Sequence, residues 1–209
     1  MKRRVGILIS GRGSNMAALI AAARDRAYSA EIVLVISNRP DAAGLTLARN
    51  AQIPAEVIDH RAFEADRARH EAAINVALRA AGTEIVCLAG YMRVMTPYLV
   101  DAWQGRMLNI HPSLLPAFPG LHTHERALAA GVKLHGCTVH LVTHATDEGP
   151  ILAQAAVPVL PDDTAEALAD RVLAQAHVIY PPALHSFASG APATFLPPTA
   201  ALSNPMARP

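Results

Sequence analysis

Short apolar runs alternate along the chain with longer stretches whose apolar residues recur at helical spacing, the pattern of a mostly parallel sheet with helices on both faces. Strands are predicted over residues 5–9, 31–36, 55–58, 84–89, 107–110, 137–142 and 151–159. Helices are predicted over 15–24 with Ser14 or Asn15 as N-cap, over 43–51, and over 96–103 with Pro97 in the first turn. A long amphipathic helix is predicted over 61–81, with Phe63, Ile74 and Leu78 among its apolar positions and Gly82 as its stop. Asp163-Thr-Ala-Glu166 looks like a capping box with Asp163 as N-cap of a last helix, which Pro181 and Pro182 should break or kink.

Between these elements lies one stretch with no helical or strand pattern. Pro112, Pro116, Pro119 and Gly120 all fall between His111 and Leu121. Proline is also dense after residue 180, so residues 1–187 read as a single Rossmann-like α/β domain and 188–209 as a proline-rich tail.

Composition narrows the function classes. Of 209 residues, 52% are hydrophobic and 17% charged, enough apolar side chain for a sizeable core. No apolar run approaches the roughly 18 residues of a membrane helix. Met1-Lys-Arg-Arg imitates the start of a signal peptide, but the apolar stretch after it ends at Ile9, so a cytoplasmic protein is expected. A net charge of +1 with 4% aromatic residues argues against a nucleic-acid surface. Cys87 and Cys137 make no disulfide framework, and Cys87 sits in an apolar strand where an inert thiol is expected. Lys2 and Lys133 are the chain's lysines, which removes most candidates for Schiff-base chemistry and the P-loop signature.

Three segments carry candidate chemistry. Ser10-Gly-Arg-Gly-Ser-Asn15 joins the first strand to the first helix, where glycines let backbone approach a ligand and the helix start offers free N–H donors. A dinucleotide loop would want glycine at Met16 and an acid at the end of the second strand, which instead reads Ser37-Asn38. A single phosphate on Gly13, Ser14 and Asn15 fits better; a plain strand-to-helix turn is the other reading. In Asn109-Ile-His111, alternation along a strand points both polar side chains the same way, at the carboxyl end where an open α/β sheet places its crevice. A strand-end Asn and His satisfied by backbone is the alternative. Asp147, before Gly149-Pro150, either shapes a turn or orients His111 and favours its charged form. His122 and His124 could seed a metal site, yet no carboxylate or cysteine stands at supporting spacing, and no metal is expected.

Together these segments resemble the phosphoribosylglycinamide formyltransferases, the folate-dependent GAR transformylases, over residues 5–186. The likeness rests on the Ser10–Asn15 loop, Ala89-Gly-Tyr-Met-Arg-Val-Met95, Leu108-Asn-Ile-His-Pro-Ser-Leu-Leu-Pro116, Pro119-Gly-Leu-His-Thr-His124, His135-Gly-Cys-Thr-Val-His140 and Asp147-Glu-Gly-Pro150. The resemblance implies a catalytic trio of Asn109, His111 and Asp147, and phosphate contacts at Gly13, Ser14 and Asn15. It implies folate contacts at Arg67, Met92, Arg93, Val94, Met95, Asn109, Thr143, His144, Ala145 and Thr146. The family places an acid before the histidine of the last helix to meet the substrate ribose; here Ala176 precedes His177, and Gln175 is the candidate substitute. The pterin loop also departs, reading His144-Ala-Thr146 where acid-x-aliphatic is usual.

The activity implied is direct formyl transfer from 10-formyltetrahydrofolate to the amine of 5-phosphoribosylglycinamide (GAR), in purine biosynthesis. It involves no metal, nucleic acid or membrane, and a monomer or homodimer would serve. A relative acting on another amine, such as an amino-sugar nucleotide, and a nucleotide- or folate-binding module without turnover are the competing readings.

Overall fold

The computed structural model describes residues 1–190, so the expected tail lies outside the described residues from 191 onward. Seven strands form one sheet in the order β3-β2-β1-β4-β5-β6-β7. They are β1 (Arg3–Ile9), β2 (Ala30–Ser37), β3 (Ala55–Val57), β4 (Ile85–Leu88), β5 (Met107–His111), β6 (Leu134–Leu141) and β7 (Ile151–Pro158). The first five run parallel, while β6 and β7 are antiparallel to their neighbours. The sheet is thus mostly parallel, as the alternation predicts.

Alternation within the strands divides the core between two faces. Val5, Ile7 and Ile9 of β1 and Ile85 and Cys87 of β4 point toward α1 (Ser14–Ala23) and α6 (Ala165–Ser189). Leu8, Val86 and Leu88 point the other way, toward Ile74 and Leu78 of α3 (Arg67–Ala80) and Leu99 of α4 (Pro97–Ala102). Two short helices, α2 (Gly44–Asn50) and α5 (Thr123–Ala129), complete the set, and both add to the α1–α6 face through Ala48 and Ala127. Fully buried Cys87 has its thiol pushed up to about 12 by burial, which makes it the inert thiol its apolar strand suggests. Among the described residues no helix is long and apolar enough to cross a membrane.

Several local expectations are corrected. The long helix over 61–81 is two pieces: a 3₁₀ turn, His60–Phe63, and α3 beginning at Arg67. Two aspartates cause the break by capping separately, Asp59 accepting from the Arg61 N–H at 3.0 Å and Asp66 from the Arg69 N–H at 2.9 Å. Glu64 between them has φ 51° and cannot continue a helix. The N-cap of α6 is Thr164, whose hydroxyl accepts from the Ala167 N–H at 3.1 Å. Asp163 instead binds Arg171 through both oxygens, at 2.6 and 2.8 Å, and those bonds hold its carboxyl down at about 2. Pro181 and Pro182 lie inside α6, which continues unbroken to Ser189. Ile179, Tyr180, Ala183 and Leu184 keep this stretch against the core, and the Tyr28 hydroxyl donates to the Pro181 carbonyl at 2.6 Å.

Candidate active site

The carboxyl ends of β1, β4 and β5 open on one edge of the sheet, at the point where strand order reverses between β1 and β4. That is where an open α/β sheet leaves a crevice. Two adjoining cavities occupy it, of about 590 and 480 Å³, and Arg12, Asn15, Gly90, Met92, Arg93 and Leu173 line both.

The first cavity is built on the Ser10–Asn15 loop. Gly13, at φ 76°, is the N-cap of α1, in place of the expected Ser14 or Asn15. Only glycine fits, because a Cβ there would stand 2.8 Å from the Gly44 Cα as well as requiring the left-handed conformation. The first intrahelical bond runs from the Ala17 N–H to the Gly13 carbonyl, so the N–H groups before it are free to meet an anion. The Asn15 Oδ1 is buried without a hydrogen-bond partner. Of the arginines lining this cavity, Arg39 is engaged by Asp41 at 2.7 Å, while Arg12 and Arg93 have no ion-pair partner among the described residues. Ser10 joins this loop to its neighbours: its hydroxyl donates to Asn38 Oδ1 at 2.6 Å and accepts from the Met92 N–H at 2.8 Å.

The second cavity holds Asn109, His111 and Asp147 together. His111 Nδ1 stands 3.3 Å from Asp147 Oδ2, with side chains only 7% and 10% exposed. The other ring nitrogen, Nε2, lies 3.1 Å from the Phe118 carbonyl. Each ring nitrogen therefore has an oxygen within reach, a carboxylate on one side and a carbonyl on the other. Asp147 also accepts from the Gly120 N–H at 2.9 Å and sits at φ 60°, a left-handed conformation that aspartate tolerates. Phe118 (φ 54°), whose carbonyl meets His111, shares that conformation.

The segment after His111 is tied down along its length. Thr138 Oγ1 accepts from the Leu115 N–H at 3.1 Å and donates to the Ser113 carbonyl at 2.7 Å, and Gln154 Nε2 donates to the Leu115 carbonyl at 2.8 Å. Beyond it, α5 follows where the sequence pattern gave no helix, held at its start by Thr123 donating to the Pro112 carbonyl.

His140 is a site residue the sequence reading missed. It opposes Asn109 directly in the antiparallel β5–β6 register. Its Nδ1 is 2.9 Å from the Leu141 carbonyl and its Nε2 is 3.2 Å from Asn109 Nδ2. Burial pushes its basicity down, which favours the neutral ring. Neutral and protonated on Nδ1, it donates to Leu141 and accepts from Asn109. That accepted bond fixes which way the Asn109 amide turns.

Met92, Arg93, Val94, Met95, Thr143, His144 and Thr146 also line the second cavity. Met92 and Val94 are 68% and 63% exposed, an apolar wall open to a flat ligand. Ala145 does not line it, but its carbonyl accepts from Thr143 Oγ1 and so shapes the same loop. His144 turns outward to Asp101 at 2.8 Å. Arg67 and Gln175 are not brought in: Arg67 is the exposed first residue of α3, and Gln175 lies off the cavity wall, which α6 forms with Ala169, Asp170, Val172, Leu173 and Ala176. The histidine-rich stretch forms no metal centre: among the described residues no group of three or more His, Cys, Asp or Glu is arranged to hold an ion. His124 and His135 pack edge to face at 5.2 Å, and burial lowers His135 to about 4.

The formyl transferase family profile matches residues 3–184. The chain is 42% identical over 184 residues to the phosphoribosylglycinamide formyltransferase of Escherichia coli, covering 88% of this chain and 86% of that protein. It is 49% identical over 191 residues to the trifunctional purine biosynthetic protein adenosine-3 of Drosophila melanogaster, of whose length it spans 14%, against 90% of its own. A crystal structure of phosphoribosylglycinamide formyltransferase from Brucella melitensis superposes with a TM-score of 0.86 at 57% identity, covering 91% of this chain and 97% of the other. With most of its length matched, and with Asn109, His111 and Asp147 gathered at one crevice, the chain belongs to the formyl transferase family.

Proposed function

We propose that this chain transfers the formyl group of 10-formyltetrahydrofolate to the amine of 5-phosphoribosylglycinamide, giving formyl-GAR and tetrahydrofolate in purine (IMP) synthesis. The observation that carries this reading is the His111–Asp147 contact beside Asn109, inside an apolar-walled cavity that adjoins an anion-suited one. GAR would lie with its phosphate on Gly13, Ser14 and Asn15. The pterin would lie along residues 92–95 and 143–146.

The glycinamide amine attacks the formyl carbon, and the carbonyl oxygen becomes an oxyanion. Asn109, its amide held by His140, donates to that oxygen from Nδ2. His111 donates as well, exchanging the Phe118 carbonyl for the oxyanion while Asp147 holds the opposite nitrogen. Donors already aimed at developing charge act with little reorganisation. Collapse breaks the bond to the folate nitrogen, which takes up a proton from the His111 side as the incoming amine releases one, through water beside Asp147. Every step is acyl transfer between two bound reactants, so their alignment supplies much of the rate.

Residues 1–187 form the catalytic unit in this reading, working in the cytoplasm as a monomer or homodimer. The test is direct assay of formyl transfer to GAR, beside an amino-sugar nucleotide as rival acceptor. Turnover with GAR supports the proposal. Turnover confined to the rival would overturn the acceptor, and tight binding of both ligands without turnover would overturn catalysis.

A further inference from the structure

The first cavity extends past the Gly13–Asn15 loop to Asn38, which follows β2, and His60, which follows β3. In the sheet β2 and β3 lie to one side of β1, and β4 and β5 to the other. A ligand reaching from the loop to His111 on β5 therefore leaves Asn38 and His60 untouched. Asn38 is only 3% exposed. Its Oδ1 takes the Ser10 proton at 2.6 Å, a length that suits O–H···O. Its Nδ2 faces His60 Nδ1 at 3.3 Å. That ring nitrogen cannot accept. It lies 2.8 Å from the Asn38 main-chain carbonyl and 3.8 Å from Asp59 Oδ1, two acceptors that require a proton on it. The Asn38 amide protons thus have no acceptor among the described residues, and neither has His60 Nε2 a partner there. The nearby carboxylates are already engaged, Asp41 by Arg39 and Asp59 by Arg61.

A buried N–H donor without an acceptor costs about as much as a lost hydrogen bond, so a ligand that supplies the acceptor gains that much. An open donor beside the lone pair of a neutral ring nitrogen matches a ligand edge on which an acceptor adjoins an N–H. Nucleobases have such edges, as adenine does in N7 and its N6 amino group. The end of the second strand is also where dinucleotide-binding sheets meet a nucleoside, and Ser37-Asn38 stands there in place of an acid. The cavity, at about 590 Å³, is far larger than one phosphate needs and falls in the range of small-molecule sites. We infer that the first cavity is also a site for a nucleoside 5′-monophosphate, with its phosphate on Gly13, Ser14 and Asn15 and its base edge on Asn38 and His60. The inference rests on the phosphate seat proposed above for GAR. From that one seat the two ligands run toward opposite edges of the sheet. They exclude one another, and the nucleotide inhibits formyl transfer by competing with GAR.

The experiment titrates the parent chain, His60→Ala and Asn38→Asp calorimetrically with adenosine, inosine and uridine 5′-monophosphates and with ribose 5-phosphate, which shares the phosphate but has no base. At least one nucleotide should bind the parent chain about tenfold more tightly than ribose 5-phosphate, the gain two hydrogen bonds supply. His60→Ala, which removes Nε2, and Asn38→Asp, which puts an acceptor where the Nδ2 donor stood, should each erase that advantage. In His60→Ala the affinity for ribose 5-phosphate and the KM for GAR should stay at the parent values, which a damaged fold would not allow. In steady-state formyl transfer the favoured nucleotide should raise the KM for GAR and leave kcat unchanged. Parity of all three nucleotides with ribose 5-phosphate overturns the base site, and an advantage kept in both variants overturns its assignment to Asn38 and His60. Inhibition competitive with the formyl donor instead of GAR also overturns it, by seating the nucleotide in the second cavity. Failure of the parent chain to formylate GAR would overturn the proposed activity, while the titrations, which need no turnover, still decide this site.

Discussion

Asn109 Nδ2 lies 3.2 Å from His140 Nε2, across directly opposed positions of β5 and β6. A neutral histidine thereby sets the orientation of the amide that faces the reacting carbonyl. His140→Ala should leave Asn109 free to rotate and lower kcat by about tenfold or more, a part of the loss seen when a donor to an oxyanion is removed outright. His140→Gln, which retains an acceptor, should recover much of that rate. Equal loss in both variants, with altered circular dichroism, would make His140 merely structural.

His111→Ala removes the ring donor that stands beside Asp147. Turnover should fall at least about 10²-fold, while a folate analogue and GAR still bind, because the phosphate and pterin walls are built from other residues. Stopped-assay kcat with separate binding titrations checks this. Near-parent turnover in the folded variant removes His111 from the mechanism.

Ser14→Asp places a fixed negative charge at the start of α1, beside the free N–H groups. Binding of GAR should weaken by at least about 10²-fold through repulsion at short range, with folate-analogue affinity changed far less. Calorimetric titration of each ligand separates the two outcomes. Equal loss of both would point to a damaged fold, and undisturbed GAR binding would move the phosphate elsewhere.

Acid stability follows from the buried histidines. Burial lowers His70, His124, His135, His140 and His177, with His135 lowest at about 4. The folded chain resists protonation where the unfolded chain, with ordinary histidines near about 6.5, accepts it. Stability is therefore full above about pH 6.5 and falls as pH drops toward about 4. Asp59 and Asp163, held at about 2 by Arg61 and Arg171, add a further loss only below about pH 4. Urea midpoints measured across pH 4–8 should show this decline, and His135→Gln should flatten it. A flat profile in the parent chain would contradict the burial argument.

Much of this organisation is readable in the sequence. Asn109 and His111 share a strand at two-residue spacing, and the glycines at 11 and 13 sit between an apolar strand and a helical pattern. Asp147 and His140 are a different matter. Their approach depends on the antiparallel register of β5 with β6 and on the irregularity between Val139 and His140, neither of which has a local signal. Helix α5 escapes notice because it is seven residues long and begins after His122 in a left-handed conformation. The N-terminal shift of one residue in α6 has a similar origin: Asp163 is a good cap by type, but Arg171, two turns along, claims its carboxylate. Gln175 fails as a wall residue because the helix turns it off the cavity, a question of rotational phase that the flanking alanines leave open.

Ser10 meets two neighbouring segments with a single oxygen, giving its proton to Asn38 after β2 and taking one from the Met92 main chain. The strand end leading into the Gly13–Asn15 loop is thus tied to the segment carrying Met92–Met95 by this hydroxyl, and again by the Ser10 N–H, which donates to the Gly90 carbonyl at 3.1 Å. If binding in one cavity moves this shared point, the occupancies of the two become thermodynamically linked. Whatever factor the first ligand applies to the affinity of the second, the second must return to the first. Ser10→Ala removes the side-chain part of that tie, and with it the dependence of each affinity on the other ligand should shrink even where the individual affinities survive.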